Sequence, residues 1–67
     1  MIETVMRSTE YRGYRLTEVR RVFSASQRDI TQYRWRVTRV DGDVENIIDE
    51  APSLEEAKAK VDKAVAK

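Results

Sequence analysis

The stretch YRWRVTRVDGDVENIIDE, running from Tyr33 to Glu50, decides how this chain folds. Tyr33, Trp35 and Val37 alternate with Arg34, Arg36 and Thr38. A period of two sends the two sets to opposite faces of a strand, and aromatic and β-branched residues suit a pleated, half-buried surface. Asp41-Gly42 then interrupts the run. Asp-Gly between alternating apolar segments signals a hairpin, because a type I′ turn needs φ > 0 at both central residues. With Asp41 and Gly42 as the loop, Val40 faces Asp43, Val37 faces Asn46, Trp35 faces Ile48 and Arg34 faces Asp49. That register collects Trp35, Val37, Val44 and Ile48 on one face. Arg34, Arg36, Thr38, Glu45 and Asp49 go to the other, where opposite charges across strands add ~0.2–1 kcal/mol per pair. The alternative is a three-residue loop with Gly42 left-handed, which pairs Trp35 with Ile47.

Working outward, residues 1–10 read either as an edge strand carrying Ile2, Val5 and Met6 or as a loose terminus. Tyr11–Phe23 reads as one extended stretch, with Tyr14 and Leu16 pointing one way and Gly13, Arg15 and Thr17 the other. The parity of the apolar residues changes after Glu18, since Val19 and Phe23 belong to the opposite set. A bulge or bend at Glu18–Arg20 is therefore expected. Gly13 reads as a point of close approach for a backbone or ring, and the polar segment Ser24–Asp29 as a mobile loop between antiparallel strands. On the C-terminal side, Ala51-Pro52-Ser53 breaks the sheet. Ser53 and Glu56 form a capping box. Glu55 and Glu56 suit the positive end of a helix, and Lys63 and Lys67 its negative end. Leu54, Ala57, Val61, Ala64 and Val65 recur at helical spacing and make one narrow apolar stripe. A helix this short does not persist alone in water, so it is expected to dock on the Trp35 side of the sheet.

The expected architecture is α+β: a three-stranded antiparallel sheet over 11–50, four-stranded if 1–10 joins it, and one helix over 53–66 packed on one face. At 67 residues the chain is a single domain near the lower limit for a self-sufficient core, which makes a homodimer a live expectation. It has no cysteine and no histidine, so no disulfide, thiolate–metal site or Cys/His catalytic pair can be built. Cysteine-free composition with no signal-peptide or membrane-length apolar run leads to the expectation of a soluble, cytoplasmic protein.

The carboxylate pairs Asp41/Asp43, Asp49/Glu50 and Glu55/Glu56 belong to turn, strand and helix cap. Asp41-Gly42-Asp43 is a fragment of a calcium loop without its ligand count, and no Gly-rich phosphate loop is present. The expectation is a non-enzyme with no cofactor and no metal.

The net charge of +1 hides a division. Residues 1–40 hold nine arginines against four acids, and residues 41–67 hold four lysines against eight acids. Arginine presents a planar fork suited to phosphate or carboxylate, although strand arginines also cover apolar surface with their stems and blunt sheet edges. Tyr33-Arg34-Trp35-Arg36 and Tyr11-Arg12-Gly13-Tyr14-Arg15 interleave arginine with aromatics, as single-strand binders do. In a strand, however, neighbours face opposite ways, so the arginines and Trp35 cannot both be open. A sheet face offering Arg15, Arg34 and Arg36, with Arg12 and Arg39 nearby, to duplex phosphates fits better. These five are the candidate partner-binding residues.

Tyr11-Arg12-Gly13-Tyr14-Arg15, Trp35-Arg36-Val37 and Ser53-Leu54-Glu55-Glu56-Ala57-Lys58 together resemble small accessory proteins of phages and mobile elements. Those often pair a Tyr-x-Gly-Tyr-Arg strand with a terminal Ser-x-Glu-Glu-Ala helix. The order of strands followed by a helix also looks like the arm-type DNA-binding domain of phage integrases, in architecture alone. This resemblance implies a protein-binding accessory factor, for example an inhibitor of host defence machinery such as the anti-CRISPR proteins. The alternative it leaves is a nucleic-acid-binding module. The expected partner is a host or phage protein, or nucleic acid at the basic sheet face, with no membrane involved.

Overall fold

Three tight turns divide the first fifty residues into four strands: β1 (Ile2–Tyr11), β2 (Tyr14–Ala25), β3 (Arg28–Asp41) and β4 (Val44–Ala51), followed by the helix α1 (Leu54–Val65). The computed structural model describes residues 1–66. The strands form one antiparallel sheet in the order β1-β2-β3-β4. The fold is α+β, and residues 1–10 supply its fourth strand.

Each turn has two residues. Arg12 and Gly13 hold φ of 51° and 82°, the left-handed pair of a type I′ hairpin. Tyr11–Phe23 is thus not one stretch, because it contains the β1–β2 turn. Gly13 is there for its backbone angle and not for close approach, since a Cβ added at that position would meet nothing within 4 Å. Ser26 and Gln27, at 48° and 65°, make the second turn. The Ser24–Asp29 segment is strand nearly to its end, closed by the Ser24 hydroxyl donating to Asp29 at 3.0 Å.

The third turn corrects the expected register. Asp41 pairs with Val44, so the loop is Gly42-Asp43. Gly42 alone carries the positive φ, 61°, which is the type II′ arrangement with glycine first. Glycine takes the left-handed angle without steric cost, and Asp41 stays in the strand, bonded by Arg39 at 3.0 Å. Pairs then run Val40–Glu45 and Thr38–Ile47. A bulge at Ile48 shifts the rest to Val37–Asp49, Arg36–Glu50 and Trp35–Ala51. Neither Ile48 nor Ile47 faces Trp35. Val44 and Ile48 are exposed, and Ala51 is the buried residue of β4.

The expected irregularity at Glu18–Arg20 lies in the neighbouring strand. β2 pairs with β3 without interruption from Tyr14–Arg39 to Ala25–Arg28. The register shift is in β1, where Met6 is the extra residue opposite Val19 and Glu18. β2 therefore keeps its parity, and Val19 and Phe23 face the side away from Leu16.

The core follows from that alternation. Leu16, Trp35, Val37 and Ala51 from the sheet join Ala57 and Val61 from α1 in one buried cluster, with Tyr11, Tyr14 and Leu54 packed against it. Ser53 caps the helix by accepting from the Glu56 backbone N–H at 3.2 Å. Tyr11 and Arg12 both donate to Asp62, at 2.8 and 2.9 Å, and Lys58 lies 5.4 Å from the Tyr11 ring. Arg7 covers the indole of Trp35 at 5.7 Å while donating to Glu18 at 2.9 Å.

The helix covers only part of the sheet. Twelve helical residues span about 18 Å, whereas the 14 residues of β3 span about 46 Å. The molecule measures 44 × 24 × 17 Å. Its accessible surface of 4960 Å² exceeds the roughly 4,400 Å² usual for a monomer of this mass. β4 ends opposite Trp35, so beyond that row β1, β2 and β3 continue as a single-layer arm.

Candidate functional site: the helix-free face of the sheet

Strand alternation gathers Glu3, Val5, Ser8, Arg15, Thr17, Val19, Arg21, Arg34, Arg36, Thr38, Glu45 and Ile47 on the face without the helix. Three of the five candidate arginines, Arg15, Arg34 and Arg36, therefore share a face, and Trp35 is on the other. Arg12 and Arg39 do not join them. Arg12 stands in the β1–β2 turn and is bound to Asp62 of the helix. Arg39 falls on the helix side, where it pairs with Asp41.

This face is not bare. Val19 is fully buried in it although no helix lies above, and the register puts Val5 and Arg34 at its sides. A chain of ion pairs crosses the strands here. Arg21 donates through Nη1 and Nη2 to the two carboxylate oxygens of Glu50 on β4, and through Nε to Glu3 on β1 at 2.8 Å. The other oxygen of Glu3 accepts from Arg36 of β3 at 2.7 Å. A fork–fork contact of this kind is stronger and more directional than a point-charge pair. The pairing holds the Glu3 carboxyl below its ordinary range, through the bonds from Arg21 and then Arg36. Glu50 is lowered chiefly by Arg21, and the Arg21 guanidinium is raised by Glu50 and Glu3.

Beside this chain runs a groove of about 380 Å³ lined by Val5, Ser8, Arg15, Thr17, Arg36, Thr38, Glu45 and Ile47. Its floor is hydroxyl-bearing: Thr38 is buried at 6 % exposure. Val5 and Ile47 stand at its sides, each 62 % exposed. Arg15 is bound to Glu45 and lies 3.7 Å from Glu10. Arg36 Nε is buried without a hydrogen-bond partner.

The face is thus charge-matched over much of its area. Of the nine arginines, the three that make no ion pair among the described residues are Arg20, Arg28 and Arg34, all on the single-layer arm. Sequence reasoning missed Glu3, Arg21 and Glu50. Arg21 was within reach, since it continues the series Arg15, Thr17, Val19 along β2. Glu3 was not, because its strand was ambiguous. Among the described residues, no group of three His, Cys, Asp or Glu side chains converges to hold a metal, and no helix is long and apolar enough to cross a membrane. The chain matches no protein family, no curated protein and no solved structure.

Proposed function

We propose that the protein is a non-enzymatic binding module that docks a partner protein on the helix-free face, an accessory factor acting by protein–protein contact. The observation that carries this is the groove beside Val5 and Ile47, an apolar rim left in water around arginines already matched by glutamates. Matched charge does not attract a polyanion. It orients a partner that brings its own polar groups and covers the apolar rim. Faces rather than edges suit the role, because bulges at Met6 and Ile48 interrupt both outer strands and disfavour strand addition.

The test is affinity capture from nuclease-treated lysate of the source cell, with wild type and Ile47→Asp in parallel. Ile47 is exposed, so the variant keeps its fold. The expected result is a defined protein captured by the wild type and lost with Ile47→Asp. Capture that is unaltered by the substitution contradicts the reading.

Arg28 and Arg34, which lie on this same face and make no ion pair among the described residues, favour a second reading in which the arm contacts nucleic acid. Two phosphate contacts give a shallow salt dependence, with a log–log slope of about −2 on duplex. Titration of labelled duplex at two salt concentrations decides it: no binding at the lower salt removes this reading, and a slope near that value abolished by Arg34→Glu supports it.

A further inference from the structure

The helix-side surface of the arm is a second bare face, separate from the groove. Past the Trp35 row it presents three cross-strand rows: Thr4, Arg20 and Tyr33, then Ile2, Val22 and Thr31, then Ser24 and Asp29. Ile2 is 67 % and Tyr33 52 % exposed. A single sheet layer with apolar residues in water lacks the second layer that domains of this kind are built from. We propose that a second copy of the chain supplies it, arm against arm, about a two-fold axis through the Val22 row.

Two features fit this occupant. The first is charge. Among the described residues Arg20 has no acidic partner, and its Nε is buried without a hydrogen bond. Asp29 is bonded only to the Ser24 hydroxyl among the described residues. Arg20 lies one row to one side of Val22 and Asp29 one row to the other. A two-fold axis through the middle row therefore lays each Arg20 over the other copy's Ser24–Asp29 pair and sets Ile2 and Val22 against their counterparts. A face reading basic, apolar, acidic along its strands is complementary to itself, which is what an isologous contact requires.

The second is height. The step from shelf to helix is one helix diameter, about 10 Å, and stacked sheets lie about 10 Å apart. The second arm fits within the step.

The shelf is about 14 by 23 Å, three strands by seven residues. That is well below a standard interface, so the dimer is weak and reversible and loosens with added salt.

Sedimentation equilibrium of the full chain tests the proposal with wild type, Arg20→Glu, Asp29→Arg and an equimolar mixture of the two variants. Each variant alone places like charges at both junctions, whereas the mixed dimer has opposite charges at both. Wild type is expected to dimerise reversibly, each variant alone to associate roughly tenfold more weakly or worse, and the mixture to recover to within a few-fold of wild type. Ile2→Asp, on an exposed side chain that the core does not need, is expected to keep its circular dichroism spectrum and lose the dimer. A wild type that stays monomeric to about 1 mM, a mixture no tighter than its components, or a dimer untouched by Ile2→Asp overturns the proposal. None of these substitutions lies in the groove, so capture of a partner through Ile47 stands or falls separately.

Discussion

Gln27 holds φ at +65° directly after Ser26 at +48°, and neither is glycine. A left-handed L-residue costs about 1–2 kcal/mol, part of which glycine returns as unfolded-chain freedom. Gln27→Gly is therefore expected to stabilise the protein by about 0.5–1 kcal/mol, read as a higher urea midpoint with an unchanged slope. The opposite case is Trp35, 6 % exposed, lying under Arg7 and opposite Ala51. The small partner leaves the indole its space. Trp35→Ala is expected to cost about 3–5 kcal/mol. A chain of this length has about 3–10 kcal/mol in total, so the variant should show little or no cooperative unfolding transition. Trp35 was legible from alternation alone, because its neighbours Arg34 and Arg36 are charged. Val19 was not: its burial on a helix-free face depends on arginine stems and on a strand, β1, that its own sequence leaves open.

At the scale of elements, α1 is capped at its start and tied to the β1–β2 hairpin at its far end. Ser53→Ala removes the acceptor for the Glu56 N–H and is expected to cost about 1 kcal/mol by denaturant titration. At the far end, the Tyr11 hydroxyl and Arg12 donate to Asp62, which holds that carboxyl low, chiefly through Arg12, and raises the Tyr11 hydroxyl. Asp49 is lowered by the Glu50 backbone N–H and then by Lys60. Together with Glu3 and Glu50 these carboxylates favour the folded state when ionised. Their contribution is present above about pH 4, the ordinary carboxylate value, and is lost as pH falls through their lowered folded values. Tyr11 acts in the other sense: its contribution is present below about pH 10 and lost as pH rises through its raised value. The thermal midpoint is therefore expected to be flat near neutrality and to fall at both extremes, and Asp62→Asn is expected to flatten the alkaline fall. The β3–β4 hairpin and the capped helix were legible because alternation and capping are local signals. Their register was not, since Asp-Gly permits the turn to start at either residue and the Ile48 bulge leaves no mark in the pattern. The β1–β2 turn was overlooked because Arg-Gly, flanked by two tyrosines, continues the look of an extended strand.

For the whole molecule, the division of the sheet into two faces governs what it can bind. One face is partly closed by the helix, and the other carries arginines matched strand by strand with acids. The charge division between the two halves of the chain is real in sequence but largely cancelled in space, because acids of β4 and α1 reach arginines of the basic half, as in Arg21–Glu50, Arg15–Glu45 and Arg12–Asp62. Composition counts charge along the chain, whereas a partner meets it after folding. The uncancelled remainder, Arg20, Arg28 and Arg34, lies on the arm. Salt is accordingly expected to weaken contacts made by the arm more than contacts made at the groove, measurable by titrating each interaction at two ionic strengths. The two-faced sheet requires Trp35 to lie beneath the helix while its arginine neighbours face away, and the chain contains a single tryptophan. Acrylamide quenching of its fluorescence in the native protein tests this directly. The expected result is a blue-shifted emission that is quenched far less than in the urea-unfolded chain, whereas emission and quenching equal to those of the unfolded chain would contradict it.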